Sequence, residues 1–276
     1  MAKNFSVDNI IIRKETENDY YNTEHMVMRA FWNIHGPGCN EHLLAHKLRN
    51  VKEYIPELSR IAELEGKIVG VIMYSKAKII DSNNKEHEVL TFGPLAVEPT
   101  CFNKGIGTLL LKTTLQLAKE ACFSGIVICG EPEYYPRHGF IPCDKFGIEH
   151  SQYGNFDAFM AYSLNKEFEN VHGKYYDAPV FEECNDPKEL QEFNKQFPNY
   201  EPLKLSCQWL HKEKLGQISK IQKDQYFIKF WEEEIPAKIK DNLSIINNNH
   251  PNVSDYVTFE YNPLGDSFIL SKCEKI

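Results

Sequence analysis

The stretch Gly93–Leu111, GPLAVEPTCFNKGIGTLLL, decides how the rest of the chain is read. It passes from a β-rich run through a loop into an apolar helical pattern. Ile106, Leu110, Leu117 and Ala121 recur at spacings of four, seven and four, which places them on one face of an amphipathic helix ending near Gly125. A helix amino terminus presents unpaired N–H groups and the positive end of the dipole. The loop ending in Gly105-Ile106-Gly107 therefore reads as a natural anion site, because glycine lets an anion approach the backbone. Gly93-Pro94 has a different meaning. Proline cannot donate to a ladder and glycine weakens a strand, so a bulge or splayed point is expected there.

Working outward, RIAELEGKIVGVIMYSKAKIID turns at Glu65-Gly66-Lys67 and continues through DSNNKE into HEVLTFGPLAVEP, a β-meander. Upstream, NIIIRKET reads as a first strand and ENDYYNTEHMVMRAFW as a helix. HGPGCN breaks that helix, and Asn40 caps a second one whose buried stripe is Leu43, Leu44, Leu48 and Val51. Downstream, GIVIC (Gly125 to Cys129) is apolar on both faces, hence a buried strand. GEPEYYPRHGF begins a short helix near Pro132, and FDAFMAYSL is a strand, with GKYYDAPVF closing the regular region. Beyond Phe181, NDPKELQEFNKQFP and SKIQKDQYFIKFWEEEIPAKIKDNL have helical texture, and DYVTFEYNPLGDSFILSKC reads as a hairpin turning at Pro263 to Asp266. A short Asn run at 247 to 249 is the one low-complexity tract.

The chain has 276 residues and a net charge of −8, enough length for one large domain or a main domain with an annex. This balance disfavours general nucleic-acid binding and favours a cationic small substrate or basic peptide. MAKNFSVDNIIIRKE lacks the apolar core of a signal peptide, and no run reaches membrane-spanning length, so a cytoplasmic location is expected. Eight cysteines show no Cys-x-x-Cys pair and are expected as reduced, mostly buried thiols.

Three ligand classes use a glycine loop at a helix start. A triphosphate site needs Lys-Ser or Lys-Thr after the second glycine, which is missing. A dinucleotide site needs a third glycine at Leu110; Glu131 has the acidic spacing, but an antiparallel meander precedes the loop. The third class is the pyrophosphate of coenzyme A. Leu95-Ala96-Val97-Glu98-Pro99, Gly105-Ile106-Gly107 and Tyr135-Pro136-Arg137-His138-Gly139-Phe140 together resemble the central motifs of a GNAT-superfamily N-acetyltransferase.

The resemblance implies a mixed α/β fold, a mainly antiparallel splayed sheet flanked by helices, over residues 1–182. Residues 183–276 are then a helical and hairpin extension. It implies acetyl-CoA as co-substrate, no metal, and direct attack by a primary amine in a ternary complex. A small-molecule amine or a protein amino group is the acceptor, sited near WNIHGPGCN; neither nucleic acid nor membrane is a partner, and a homodimer is allowed. The alternative is an acyl-CoA sensor without turnover, or a partner-binding module.

Residue by residue, the resemblance lays pantetheine along Leu95, Ala96 and Val97, with an N–H of Leu95 or Val97 meeting the acetyl carbonyl. Backbone groups of Asn103, Lys104, Gly105, Ile106, Gly107 and Thr108 hold the pyrophosphate, and Lys104 adds charge. Phe102 stands where the family has Gln or Arg, so that side-chain contact is lost. Tyr135 is the expected acid for the leaving thiolate, and Tyr134 a packing aromatic. The base is open between His87, Glu88, Glu131 and a water chain. His42 and His46 have a metal-like spacing without a third ligand, so an exposed helix face is expected. Arg137 and His138 are read as helix-surface cations, with contact to coenzyme phosphate as the less favoured alternative, and Trp231 to Glu234 as a solvated helix face with one buried aromatic.

Overall fold

The computed structural model describes residues 6–208, 214–223, 225–239, 250–262 and 265–276. In chain order its elements are β1 (Ile11–Arg13), α1 (Tyr20–Phe31), α2 (Glu41–Leu48), β2 (Arg60–Leu64), β3 (Lys67–Ile80), β4 (Glu86–Val97) and α3 (Ile106–Glu120). There follow β5 (Gly125–Cys129), β6 (Ile141–Pro142), β7 (Ile148–His150), β8 (Phe159–Ser163), β9 (Gly173–Tyr176), α4 (Val180–Glu183) and α5 (Pro187–Asn194). The last five are β10 (Lys214–Gln222), β11 (Gln225–Phe230), β12 (Glu233–Ile239), β13 (Tyr256–Glu260) and β14 (Ser267–Cys273).

The chain divides into two compact units. One contains the described residues of Met1–Val27, Asn40–Val97 and Ile106–Phe197; the other contains those of Met28–Cys39, Glu98–Gly105 and Pro198–Ile276.

The first unit is built on a mixed sheet in the order β1-β2-β3-β4-β5-β8-β6, with β9 pairing β3 and β7. Its pairs are antiparallel except β4 with β5 and β7 with β9. The expected bulge is present. Ile72 faces Leu95 but Tyr74 faces Phe92, so β4 carries one extra residue at Gly93-Pro94. Its other edge meets β5 in parallel at Leu90↔Ile126, and the strands part beyond that point.

Helix α3 packs on this sheet through Ile106, Leu110, Leu111, Thr114, Leu115 and Ala118. Of the two further residues expected in the stripe, Leu117 is half-buried and Ala121 is exposed beyond the helix end; the buried face widens through 111, 114, 115 and 118 instead. A Cβ at Gly70 of β3 would meet Leu110 Cδ1 at 2.9 Å, so the bare backbone there sets how closely the helix approaches.

Under α2, Arg49 is buried between two carboxylates. It pairs with Glu15 at 2.8 Å and Glu24 at 2.5 Å and lies over the Tyr20 ring. Removing one member of a buried ion group leaves the others uncompensated. Arg49→Ala is expected to lower unfolding free energy by about 3–5 kcal/mol, read from denaturant titration.

His42 corrects the expectation of an exposed imidazole pair. It is fully buried, with its ring nitrogen 2.6 Å from Asn194 Oδ1, while His46 pairs with Glu24. Burial pushes the His42 imidazole from 6.5 down to about 4. The unfolded chain therefore takes up a proton below about pH 6.5 that the folded chain refuses until about pH 4, so stability falls as pH drops through that window. Thermal midpoints measured across it should fall less steeply in His42→Asn than in the wild type.

The second unit holds a closed five-stranded barrel, β10-β11-β12-β14-β13, antiparallel except for β12 with β14. That order is the Greek-key arrangement of OB-type barrels. It overturns the helical reading of residues 219–243 over those that are described, 219–223 and 225–239: Ile228 and Phe230, then Ile235 and Ala237, point inward at a period of two. Trp231 to Glu234 are accordingly a hairpin turn and strand start, not a helix face. The β13–β14 hairpin is as expected; Pro263 and Leu264 of its turn, and the Asn run at 247 to 249, lie outside the described residues.

Two further expectations are corrected. Cys207 and Cys273 form a disulfide across 66 residues, because Ser206 and Ile276 donate backbone N–H groups to Glu274 and Lys204 and lay the two segments side by side. The tyrosine segment after β5 is a turn followed by a short 3-10 helix, Pro136–His138, rather than a helix from Pro132.

Candidate functional site

The parting of β4 from β5 creates an unpaired strand edge. Along an antiparallel strand, backbone N–H groups alternate between the partner and the opposite side. With β3 pairing Leu95, Ala96 and Val97 on one side, alternate N–H groups of this stretch face the gap. Ala96 is buried, while Leu95 and Val97 are half-buried.

Helix α3 starts directly after this strand and its loop. Ile106 anchors it in the core, and the N–H groups of its first turn have no partner inside the helix. A Cβ at Gly107 would lie 3.0 Å from Tyr134 Oη and 3.6 Å from Val97 Cγ2, so glycine keeps the first turn open beside the strand end. Tyr134 Oη and His138 Nε2 are both buried, and among the described residues neither has a hydrogen-bond partner; Thr108 stands beside Tyr134 without bonding geometry. Their rings are 4.8 Å apart, and Arg137 lies over the Tyr134 ring. His138 is thus not a free surface cation, and burial lowers its pKa.

Within the second unit, the loop Glu98–Gly105 has a fixed course. Asn103 and Gly105 adopt left-handed conformations, φ 61° and 82°, and both are exposed. The Asn103 amide donates to the Tyr261 carbonyl at 3.3 Å, and the Lys104 ammonium to the Thr100 carbonyl at 3.0 Å. Phe102 packs against the barrel core, with the Lys214 ammonium 3.4 Å from its ring centroid. The aromatic residue that departs from the resemblance therefore has a local role: it ties the loop to the barrel. Burial brings the Lys214 amine down to about 8. The segment WNIHGPGCN is held in the same unit, by Trp32 and Asn33 donating to Glu201 and by Asn33 Oδ1 accepting from Gly38 and Leu203.

Tyr135 lies among Phe92, Phe140 and Tyr134, with ring centroids 5.0–5.8 Å away. A Cβ at Gly130 would stand 2.3 Å from its ring, so the backbone after β5 pins it. Burial holds its phenol well above the ordinary tyrosine value, with Tyr134 adding to the shift.

The candidate bases are engaged: His87 with Asp81 at 3.0 Å, Glu88 with Lys76 at 3.0 Å, and Glu131 with the Glu133 N–H. A different polar group escaped the sequence reading. Tyr175, Asp177 and His150 form a hydrogen-bonded chain, with Thr91 of β4 as an electrostatic neighbour of the Tyr175 hydroxyl. These residues are scattered through the sequence, and no spacing announces them.

Comparison with known proteins adds family evidence. Residues 24–141 match the model of the Acetyltransferase (GNAT) family. An Escherichia coli K12 protein, the uncharacterized N-acetyltransferase YjhQ, is 35% identical over 89 residues, 32% of this chain and 48% of that one. The match thus spans about half the length of that relative. Among solved structures, E. coli YhbS, a GNAT-family N-acetyltransferase in complex with CoA, superposes with a TM-score of 0.56 at 22% identity, covering 63% of this chain and 92% of that one. A Brucella melitensis GNAT-family acetyltransferase in complex with acetyl-CoA gives 0.51 at 24%, covering 62% and 97%.

Proposed function

We propose, from the match of residues 24–141 to the model of the GNAT acetyltransferase family, that the chain moves an acetyl group from acetyl-CoA to a primary amine by direct attack in a ternary complex. The observation that carries this reading is the pair of buried polar atoms without partners, Tyr134 Oη and His138 Nε2, beside Gly107 at the first turn of α3. A bound diphosphate would give both a partner and would meet the free N–H groups of that turn.

In this reading the backbone of residues 103–108 grips the diphosphate, and Leu95, Ala96 and Val97 receive the pantetheine along the open edge of β4. Acetyl-CoA supplies the activated thioester. An N–H of Leu95 or Val97 stabilises the oxyanion that forms when the neutral amine attacks; the nitrogen then sheds a proton to water as the C–S bond breaks, and Tyr135 gives its proton to the sulfur that leaves and regains one from solvent. Acetylated amine and free coenzyme are the products. Residues 1–182 form the catalytic domain and 183–276 its extension; segments 28–39 and 98–105 of that domain cluster with the barrel.

Incubating the full chain with acetyl-CoA and a panel of primary amines tests the proposal, with thiol release and product mass as readouts. At least one amine should gain an acetyl group as thiol appears. Coenzyme binding with no thiol released for any amine would instead identify a sensor.

A further inference from the structure

If the chain works as proposed above, on which this inference rests, the acceptor must reach the gap between β4 and β5. Thr91 is the first β4 residue past the last β4–β5 pair, and Cys129 ends β5. Tyr175 has Thr91 and Cys129 as electrostatic neighbours. Its hydroxyl donates to Asp177 Oδ1 at 2.6 Å, and burial together with the Asp177 charge keeps that phenol protonated.

His150 completes the arrangement. Its Nδ1 accepts the N–H groups of Gln152 and Tyr153 at 3.2 and 3.3 Å, which leaves Nε2 to donate to Asp177 Oδ2 at 3.2 Å. Two buried donors thus fix one carboxylate whose side chain stays 29% exposed. An ionised carboxylate accepts about four hydrogen bonds, so Asp177 keeps acceptor capacity on its open side. Around His150, the partner of that carboxylate, Tyr153 and Phe156 are exposed at 70% and 38%, with rings 4.8 and 6.3 Å from the imidazole.

A purely structural His150–Asp177 pair would account for the buried donors. It leaves the half-open carboxylate and the exposed aromatic rim without a purpose. A fixed anion beside aromatic faces is the chemistry that recognises an alkylammonium, and Glu182, bonded to Gln152 alongside, adds negative charge. We propose that Asp177 binds the ammonium group of a cationic alkylamine acceptor at the β4–β5 opening, with Tyr175 and His150 as positioning residues; the bound ammonium gives a proton to water before the neutral amine attacks.

Nuclear magnetic resonance titration of the full chain with pentylamine and, separately, pentanol tests this directly. The wild type should prefer pentylamine by about tenfold, as a charged hydrogen bond provides. Asp177→Asn should remove that preference, and in turnover assays should raise KM for the amine about tenfold while leaving KM for acetyl-CoA unchanged. Tyr175→Phe, which keeps the ring, should weaken the preference and serves where the Asp177 variant does not fold. Equal wild-type affinity for the two probes, or a preference that persists in Asp177→Asn, would overturn the assignment. A preference lost in Asp177→Asn without any acetylation would retain the ammonium site and remove the enzyme; acetylation with an unaltered amine KM in Asp177→Asn would do the reverse.

Discussion

Gly107→Val is expected to reduce acetyl-CoA affinity at least a hundredfold while leaving the thermal midpoint within a few degrees of wild type. A single Cβ there already lies 3.0 Å from Tyr134 Oη, and a branched side chain extends over the first turn of α3, where an anion would meet the backbone. Blocking two hydrogen bonds to a charged group removes about 3–6 kcal/mol, which is more than two powers of ten in affinity. Stability is spared because the neighbour that must move is the tip of an aromatic side chain, and valine is no worse than glycine within a helix. Isothermal titration with acetyl-CoA supplies the affinity, and a melting curve supplies the control.

Tyr135→Phe is expected to lower kcat by about 10²–10⁴, the range for loss of a general acid, without weakening coenzyme affinity. Phenylalanine keeps the ring contacts with Phe92, Phe140 and Tyr134, so the change isolates the hydroxyl. The pH dependence follows from the raised phenol. A tyrosine of ordinary acidity would lose its proton near 10, but burial holds Tyr135 well above that, so it remains a donor through the alkaline range. The wild-type rate should show no decline around pH 10 that the Phe variant lacks. An unchanged kcat in Tyr135→Phe would take this residue out of the proton transfer.

Much of the first unit was legible because its signals are local. The β3–β4 hairpin announces itself by its turn residues, the bulge by Gly93-Pro94, and the start of α3 by the glycines before its apolar stripe. The barrel was illegible for an equally local reason. Its hairpins turn through Lys223 and Trp231, at φ 54° and 56°, where glycine or asparagine would have marked a turn. Trp231 holds this conformation beneath Arg29 and edge-on to Tyr200, contacts that sequence spacing does not encode. Long Lys and Glu side chains facing outward on β11 and β12 also imitate a charged helix.

The site divides along the same line. Gly107 and Tyr135 could be proposed from the sequence because each sits in a contiguous motif, whereas Phe102 looked like a simple loss until the barrel core supplied its partner. The Tyr175–Asp177–His150 chain arises from strand order: β7 and β9 run in parallel and bring His150 opposite Tyr175. Cys207 and Cys273 likewise meet only through the pairing of the two segments that flank them.

All of the enzymology rests on whether the amides of residues 103–108 accept a coenzyme diphosphate. Calorimetric titration of the full wild-type chain with acetyl-CoA, beside its dephosphorylated fragment pantetheine, asks that most directly. Saturable one-to-one binding of acetyl-CoA, with pantetheine at least a hundredfold weaker for want of the diphosphate contacts, is the expected result. No heat of binding with acetyl-CoA, or equal affinity for the two compounds, would contradict it.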